Sequence, residues 1–312
     1  MKKSVKTPII ILLIASLLIT SCEMMPTKKE AKKEPTGLTG NQGIEINFIP
    51  NMPPARVYPG KITILLRAEN KGTSKLEQEK GTLYLSGFDP KIINIDKQNN
   101  EVKKEIPELE GRGPYRTQGD IDQIEFTGNI NKLSVEKYNT IILATACYKY
   151  KTKASTEVCI DPNPFTPTQQ PKICTPTDID LKSGQGAPIA VTKIEVDAAK
   201  EKTRFRIHIK NTGKGTAFDE SKISKCSPYS EGLSFTDINL IKVEKVTVAG
   251  NKLIDKCKPL DTNNNLRLTE GRGILYCEFD TQGTGAYITP ISITLSYGYR
   301  DTTTKQIEVR KT

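Results

Sequence analysis

The chain has no tryptophan, a single histidine and only four methionines among its 312 residues. One histidine, His208, cannot supply the multi-histidine sets that hold catalytic metals. No two cysteines stand in a Cys-x-x-Cys arrangement, which excludes the common zinc sites as well. Gly-x-Ser-x-Gly elbows, Walker loops and the Rossmann fingerprint are all missing. No stretch carries helical apolar periodicity of useful length, so no helix amino terminus is expected to cradle a phosphate. There is no Asn-x-Ser/Thr sequon, so N-glycosylation is not expected. These absences together give the expectation of a protein that is not an enzyme and uses no cofactor or metal.

What is present is strand. In Thr203-Arg-Phe-Arg-Ile-His-Ile-Lys-Asn-Thr-Gly213, Phe205, Ile207 and Ile209 alternate with Arg204, Arg206 and His208. That is the period of a strand with one face on a core and one in water. The run stops at Asn211-Thr-Gly213. An earlier stretch has the same design, with Ile62, Ile64, Leu66 and Ala68 on one face and Asn70-Lys-Gly72 at the end.

The amino terminus has another character. Lys2, Lys3 and Lys6 precede an almost wholly apolar stretch that ends in Ile19-Thr-Ser-Cys22. The apolar run is about 14 residues, short of the ~20 that span a bilayer. A basic start, a short greasy core and small residues at its end make an export signal. Its last residues, Ile19-Thr-Ser-Cys22, resemble a lipobox, which implies that residues 1–22 are a lipoprotein-type signal segment with Cys22 the lipidated residue. Residues 23–42 are mostly Lys, Glu, Pro, Thr and Gly, and are expected to form a flexible tether.

Short strand runs then recur between turn signals, the pattern of an antiparallel sandwich. Residues 43–161 are expected to form a first β-sandwich. Residues 162–185 hold Pro162, Pro164, Pro167, Pro171 and Pro176 and read as a stiff linker. Residues 186–312 are expected to form a second sandwich, with one of its strands over 233–240. In the first sandwich, 140–151 and 155–160 read as two arms of a hairpin turning at Lys151-Thr-Lys-Ala154. In the second, a turn over 301–304 separates 291–300 from 306–310.

Four markers suggest that the sandwich occurs twice. Ile44-Glu-Ile46 answers to Ile194-Glu-Val196, and the Asn-x-Gly strand end at 70–72 to that at 211–213. Glu110-Gly-Arg-Gly113 recurs as Glu270-Gly-Arg-Gly273, and Tyr148-Lys-Tyr-Lys151 as Tyr297-Gly-Tyr-Arg300.

Cys22 aside, six cysteines remain, an even number in an exported chain. Cys147 and Cys159 would lie opposite each other on the arms of the first hairpin, which favours a Cys147–Cys159 bond. Among Cys174, Cys226, Cys257 and Cys277 three pairings are open; Cys257–Cys277 with Cys174–Cys226 is preferred.

Few residues invite a functional role. His208 lies on the polar phase of its strand. Asp261-Thr-Asn-Asn-Asn265 begins like a calcium loop but has Leu266 where glycine is needed and Arg272 where a bidentate Glu is needed, so a polar turn is expected. Arg112 and Arg272, each flanked by glycines, could hold an anion, but a turn required by the fold accounts for them. Tyr148, Tyr150, Tyr297 and Tyr299 sit at i, i+2 spacing and form a possible contact surface, with packing as the alternative. The formal net charge is +10, yet lysines alternate with acids along the strands, unlike a nucleic-acid-binding stripe.

The strand end Asn211-Thr-Gly-Lys-Gly-Thr-Ala217 resembles the CARDB-type and related Ig-like domains of prokaryotic surface proteins. Ile19-Thr-Ser-Cys22 resembles the lipobox of prokaryotic lipoproteins. Cys147-Tyr-Lys-Tyr-Lys-Thr152, Gly184-Gln-Gly-Ala-Pro188, Lys225-Cys-Ser-Pro-Tyr229 and Ala286-Tyr-Ile-Thr-Pro290 are similar to stretches of uncharacterised lipid-anchored surface proteins of small-genome archaea. The first half departs from the CARDB pattern, since Asn70-Lys-Gly-Thr-Ser74 lacks the second glycine. The resemblance implies two tandem Ig-like sandwiches, held on the extracytoplasmic face of the membrane by Cys22 or by the apolar segment itself. The lipobox, the tether, the repeated β-domain and the lack of a catalytic constellation lead to the expectation of a structural, scaffolding or adhesive role toward an envelope protein, another cell's surface or a glycan. The alternative is a lipoprotein that presents a bound glycan or peptide to a membrane complex.

Overall fold

The computed structural model describes residues 39–311 except 168–170, 183 and 282. The signal segment with Cys22 and the tether residues 23–38 lie outside the described residues. The fold is all-β and almost wholly antiparallel.

The alternating runs form strands for the reason their pattern gives. Gly60–Asn70 buries Ile62, Ile64, Leu66 and Ala68. Lys202–Asn211 buries Phe205, Ile207 and Ile209 while Arg204 and Arg206 face water. The first belongs to a four-stranded sheet in the order Ile44–Phe48, Gly60–Asn70, Ile121–Ile130, Ile93–Ile95. The second is central in a five-stranded sheet in the order Cys257–Lys258, Arg272–Asp280, Lys202–Asn211, Ile189–Ala199, Ile179–Asp180. Both share one continuous hydrophobic cluster with a third, nine-stranded sheet.

The spine of that third sheet is a pair of 24-residue strands, Lys137–Ile160 and Tyr287–Arg310. They pair antiparallel along their whole length, from Lys137 opposite Arg310 to Ile160 opposite Tyr287. Both expected turns are thereby corrected. Lys151-Thr-Lys-Ala154 pairs with Ser296 to Ile293, and 301–304 pairs with Ala146 to Leu143. The reason is chemical: Lys151-Thr-Lys-Ala154 holds no turn-forming residue, and 301–304 holds only Asp301, followed by three β-branched threonines. Thr152 is buried, donating its hydroxyl to the Ile189 carbonyl at 2.5 Å and lying 2.9 Å from the Tyr297 hydroxyl.

The long strands also correct the division into separate sandwiches. Gly81–Ser86 pairs with 143–148 of the first long strand, while Arg56–Val57 pairs with Glu308 and Val309 at the far end of the second. Leu240–Val248 pairs with the opening part of the second long strand, which lies beside residues 151–160 of the first. Each half thus completes its sheet with a strand segment from the other. The 162–185 stretch is more than a spacer, because Ile179–Asp180 adds to the edge of Ile189–Ala199. The described residues form one compact unit. Residues 233–239, expected as strand, form a loop in which Asp237 Oδ2 accepts from both the backbone N–H and the hydroxyl of Ser234.

Three disulfides brace the body. Cys147 is joined to Cys226 and Cys159 to Cys174, in place of the Cys147–Cys159 and Cys174–Cys226 bonds expected from sequence. With no hairpin turn, Cys147 and Cys159 are separated along one continuous strand and cannot meet. Cys147 instead faces the 3₁₀ segment Glu220–Cys226, and Cys159 the proline-rich segment. The third bond joins Cys257 to Cys277, paired residues on adjacent strands and the pairing preferred from sequence.

Two of the four repeat markers coincide in structure. Asn70 and Asn211 end equivalent strands with the same bonds: each side-chain amide donates to the backbone four residues on, at Ser74 (2.8 Å) and Gly215 (2.9 Å). Each Asn Oδ1 accepts from the glycine N–H two residues on, Gly72 at 3.1 Å and Gly213 at 3.2 Å. The tyrosine pairs coincide too. The other two markers are out of register. Ile44 pairs with Asn70 as Ile189 pairs with Asn211, so Ile44 answers to Ile189 and not to Ile194. Asn70 N–H donates to the Asp120 carbonyl where Asn211 N–H donates to that of Gly271, so the Glu110-Gly-Arg-Gly113 turn has no counterpart.

Candidate functional site

The four tyrosines are core, not contact surface, which corrects that expectation: each is at most 2% exposed. Tyr148 pairs with Tyr299 and Tyr150 with Tyr297 across the long strands. Their rings form a cluster with centroids 5.7–6.3 Å apart, a favourable aromatic spacing. Each hydroxyl reaches a strand of a smaller sheet. Tyr148 Oη accepts from Ile44 N–H at 3.2 Å, as Tyr297 Oη accepts from Ile189 N–H at 3.4 Å. Tyr150 donates to Asn70 Oδ1 at 2.9 Å and accepts from Ser74 N–H. Tyr299 donates to Asn211 Oδ1 at 3.3 Å and accepts from Gly215 N–H at 2.8 Å. Gly72 and Gly213 are glycine because a Cβ would lie 2.0 Å and 2.3 Å from the Tyr150 and Tyr299 hydroxyls. Burial holds all four phenols above their ordinary range, that of Tyr299 at about 12.

Beside this cluster, at the waist of the molecule, lies a groove of about 220 Å³. One wall is the edge strand Ile44–Phe48 with the residues before it; the other is Asp301, Thr302 and Thr303 of the second long strand. Pro188 and Lys214 contribute from the second half. Burial pushes the Glu45 carboxyl up, but Lys71, Asn47 and Lys214 outweigh it and hold the group below its usual range. Glu45 forms an ion pair with Lys71. Neither Lys214 nor Asp301 makes an ion pair among the described residues. Asp301 Oδ1 only accepts from the N–H of Thr302, at 2.8 Å. The groove is therefore polar, carries both charge signs and has an unpaired strand edge along one side. Tyr148 and Tyr299 line it and were named from sequence; the rest of the lining comes from 41–47, 188, 212–214 and 301–303, which share no motif.

A wider concavity of about 820 Å³ lies on the outer face of the five-stranded sheet. Most of its cations are paired, Lys202 and Arg204 with Glu278, Lys256 with Asp280 and Arg206 with Glu195, as on a solvated face. His208 lies outside this concavity on the same strand as Arg204 and Arg206, its Nε2 3.2 Å from Glu195 Oε1. Arg112 is used internally, donating to the Thr39 carbonyl at 2.7 Å. Arg272 begins its strand next to a tight turn in which Glu270 and Gly271 have positive φ. Asp261 closes a polar turn, its Oδ1 accepting from Asn263 N–H and Asn265 N–H at 2.8 Å each.

No protein-family model matches the chain, and no curated protein matches it. Among solved structures, the C-terminal globular domain of an oligosaccharyltransferase from Pyrococcus abyssi is similar at 12% identity and a TM-score of 0.24, covering 86% of this chain. The secreted serine protease VesC from Vibrio cholerae is similar at 10% identity and a TM-score of 0.20, covering 82%. The chain spans about half the length of each, 48% and 49%. At these scores neither likeness bears on function. The three disulfides fit an oxidising, extracytoplasmic setting. Among the described residues no helix is long and apolar enough to cross a membrane.

Proposed function

We propose that this chain is a membrane-anchored cell-surface protein with a non-enzymatic structural, scaffolding or adhesive role, held by lipid on Cys22. The observation that carries this reading is the bracing of the body. Two full-length paired strands and three disulfides tie both halves into one stiff unit, of the kind that presents a surface outside the cell. The export signal ending at Cys22 supports the anchor. The Asn211–Ala217 resemblance supports kinship with CARDB-type domains. A pull-down from crosslinked intact cells, with Cys22→Ala as the unanchored control, tests the role. An envelope or surface partner recovered with the anchored form is expected; recovery of none counts against it.

The waist groove favours a second reading, in which the lipoprotein binds a ligand and presents it to a membrane complex. Equilibrium binding to the purified chain distinguishes this from a purely mechanical role.

A further inference from the structure

The two halves treat equivalent strand edges differently. In the first half, the Gly43 carbonyl and the Ile49 N–H face the neighbouring strand, accepting from Lys71 and donating to Leu65. Backbone groups alternate in direction along a strand, so those of Ile44, Ile46 and Phe48 face away from Gly60–Asn70, and Ile44 and Ile46 line the groove. Ile44 is satisfied by the Tyr148 hydroxyl, which accepts from its N–H and donates to its carbonyl. No strand pairs with this edge among the described residues, and no hydrogen bond from them reaches Ile46 there.

In the second half, Val191 stands where Ile46 stands in the first, since Ile46 pairs with Ala68 and Val191 with Ile209, each two residues before the equivalent asparagine. Val191 is fully satisfied. Its N–H donates to Gln185 Oε1 at 2.9 Å, and its carbonyl accepts from Gln185 Nε2 at 3.0 Å. Beyond it, Leu181 N–H donates to the Thr192 carbonyl, and Ile179–Asp180 pairs with Ile194 and Lys193. An extended segment with a glutamine carboxamide thus fills the second edge.

The first half has no such filler. Counting back from Ile44 as Gln185 lies back from Ile189 reaches Gly40, which has no side chain to offer. Asn41 is committed to the Thr212 carbonyl at 3.1 Å. Residues 1–38 contain no asparagine and no glutamine. Gln42 and Asn47 line the groove, but neither side chain makes a hydrogen bond to the Ile46 backbone, so no carboxamide among the described residues fills this edge. A groove of about 220 Å³ lies below the ~300–1,000 Å³ of ordinary small-molecule sites but suits one inserted side chain beside an added strand.

We infer that the groove along Ile44–Phe48 binds an extended peptide of a second protein, which presents a glutamine or asparagine carboxamide to the backbone of Ile46 as Gln185 does to Val191. The flanking peptide backbone adds to the edge at Phe48, and Thr302 and Thr303 form the opposite wall. This deepens the contact role proposed above by naming the partner's chemistry. It is tested in solution, where its failure leaves surface attachment and partner capture on cells to be judged separately.

The probe is a fluorescent synthetic peptide with the sequence of residues 177–187, which holds Ile179, Asp180, Leu181 and Gln185 of the second edge. The full chain is expected to bind it saturably with one-to-one stoichiometry. A Gln→Leu change in the peptide is expected to weaken binding at least tenfold. Thr303→Trp in the chain, which fills the groove from its far wall, is expected to do the same while the thermal midpoint holds. Lys214→Trp, at an exposed position on the groove rim, serves if that variant fails to fold. Replacing residues 27–38 by a Gly/Ser repeat is expected to leave affinity unchanged. The inference is overturned by absence of saturable binding, by equal affinity for the Gln→Leu peptide or by full binding to the groove-filled chain. A tenfold gain on replacing 27–38 also overturns it, since the chain's own amino-terminal segment would then be the occupant.

Discussion

Lys149 stands directly opposite Gly298, flanked on one side by Tyr148 with Tyr299 and on the other by Tyr150 with Tyr297. Each of the two is the other's counterpart in the repeat, so a local pseudo-twofold axis passes between them. The positions are nonetheless unequal. A Cβ on Gly298 would lie 2.2 Å from the Phe218 ring, whereas the Lys149 side chain is partly in water. Gly298→Ala is expected to destabilise the fold by about 1–3 kcal/mol through overpacking, and Lys149→Ala by less than about 0.5 kcal/mol. Urea denaturation of the two variants checks the contrast.

The strand exchange predicts cooperativity. Residues 39–161 expressed alone lack the 297–310 segment that completes their sheet, and are expected to show no cooperative thermal transition. The full chain is expected to unfold in a single calorimetric transition. Two resolved transitions, or a stably folded first half, would show that the halves are independent.

Removing the Tyr150 or Tyr299 hydroxyl takes one partner from an Asn-x-Gly strand end that is otherwise internally bonded. Tyr150→Phe and Tyr299→Phe are each expected to cost about 1–2 kcal/mol. Because the two clamps sit on different strand ends, the double variant should be close to additive, as read from shifts in the urea midpoint.

The buried phenols set an alkaline limit. Their folded pKa values lie above the unfolded value near 10, so the folded state favours the neutral form. That stabilisation is complete below about pH 10 and is lost as pH rises toward and beyond the Tyr299 value of about 12. At least four of the 11 tyrosines should ionise only together with unfolding when phenolate absorbance and circular dichroism are followed in one titration.

Loop length ranks the disulfides. Cys147–Cys226 spans 79 residues and Cys159–Cys174 spans 15. The chain-entropy relation gives roughly 4–5 kcal/mol for the longer loop and about 3 kcal/mol for the shorter. Double serine variants should fall in that order of stability loss in equilibrium unfolding.

The strand faces were legible in the residues themselves. Ile62 to Ala68 and Phe205 to Ile209 announce their buried sides because side-chain period is a local property. The long strands were not. Lys151-Thr-Lys-Ala154 looks polar enough for a turn, yet its lack of turn-forming residues was the available signal against one. Cys147 gave no hint of Cys226, because its partner is set by where a distant 3₁₀ segment docks. The groove was illegible for a related reason: the sign of a free edge is what Gly40 lacks, and that shows only when the two halves are compared in register.

A Cβ on Gly43 would lie 2.8 Å from the hydroxyl of Tyr148, so the first described residues lie beside the midpoint of the long strands. At about 3.3 Å per residue those strands run roughly 40 Å to either side of their centre. Tension applied through residue 39 would meet the body as a load meets a beam hung from its middle. Neither half would be peeled from its end, and the exposed tips near Tyr58 and Phe165 would swing as opposite arms of one balance.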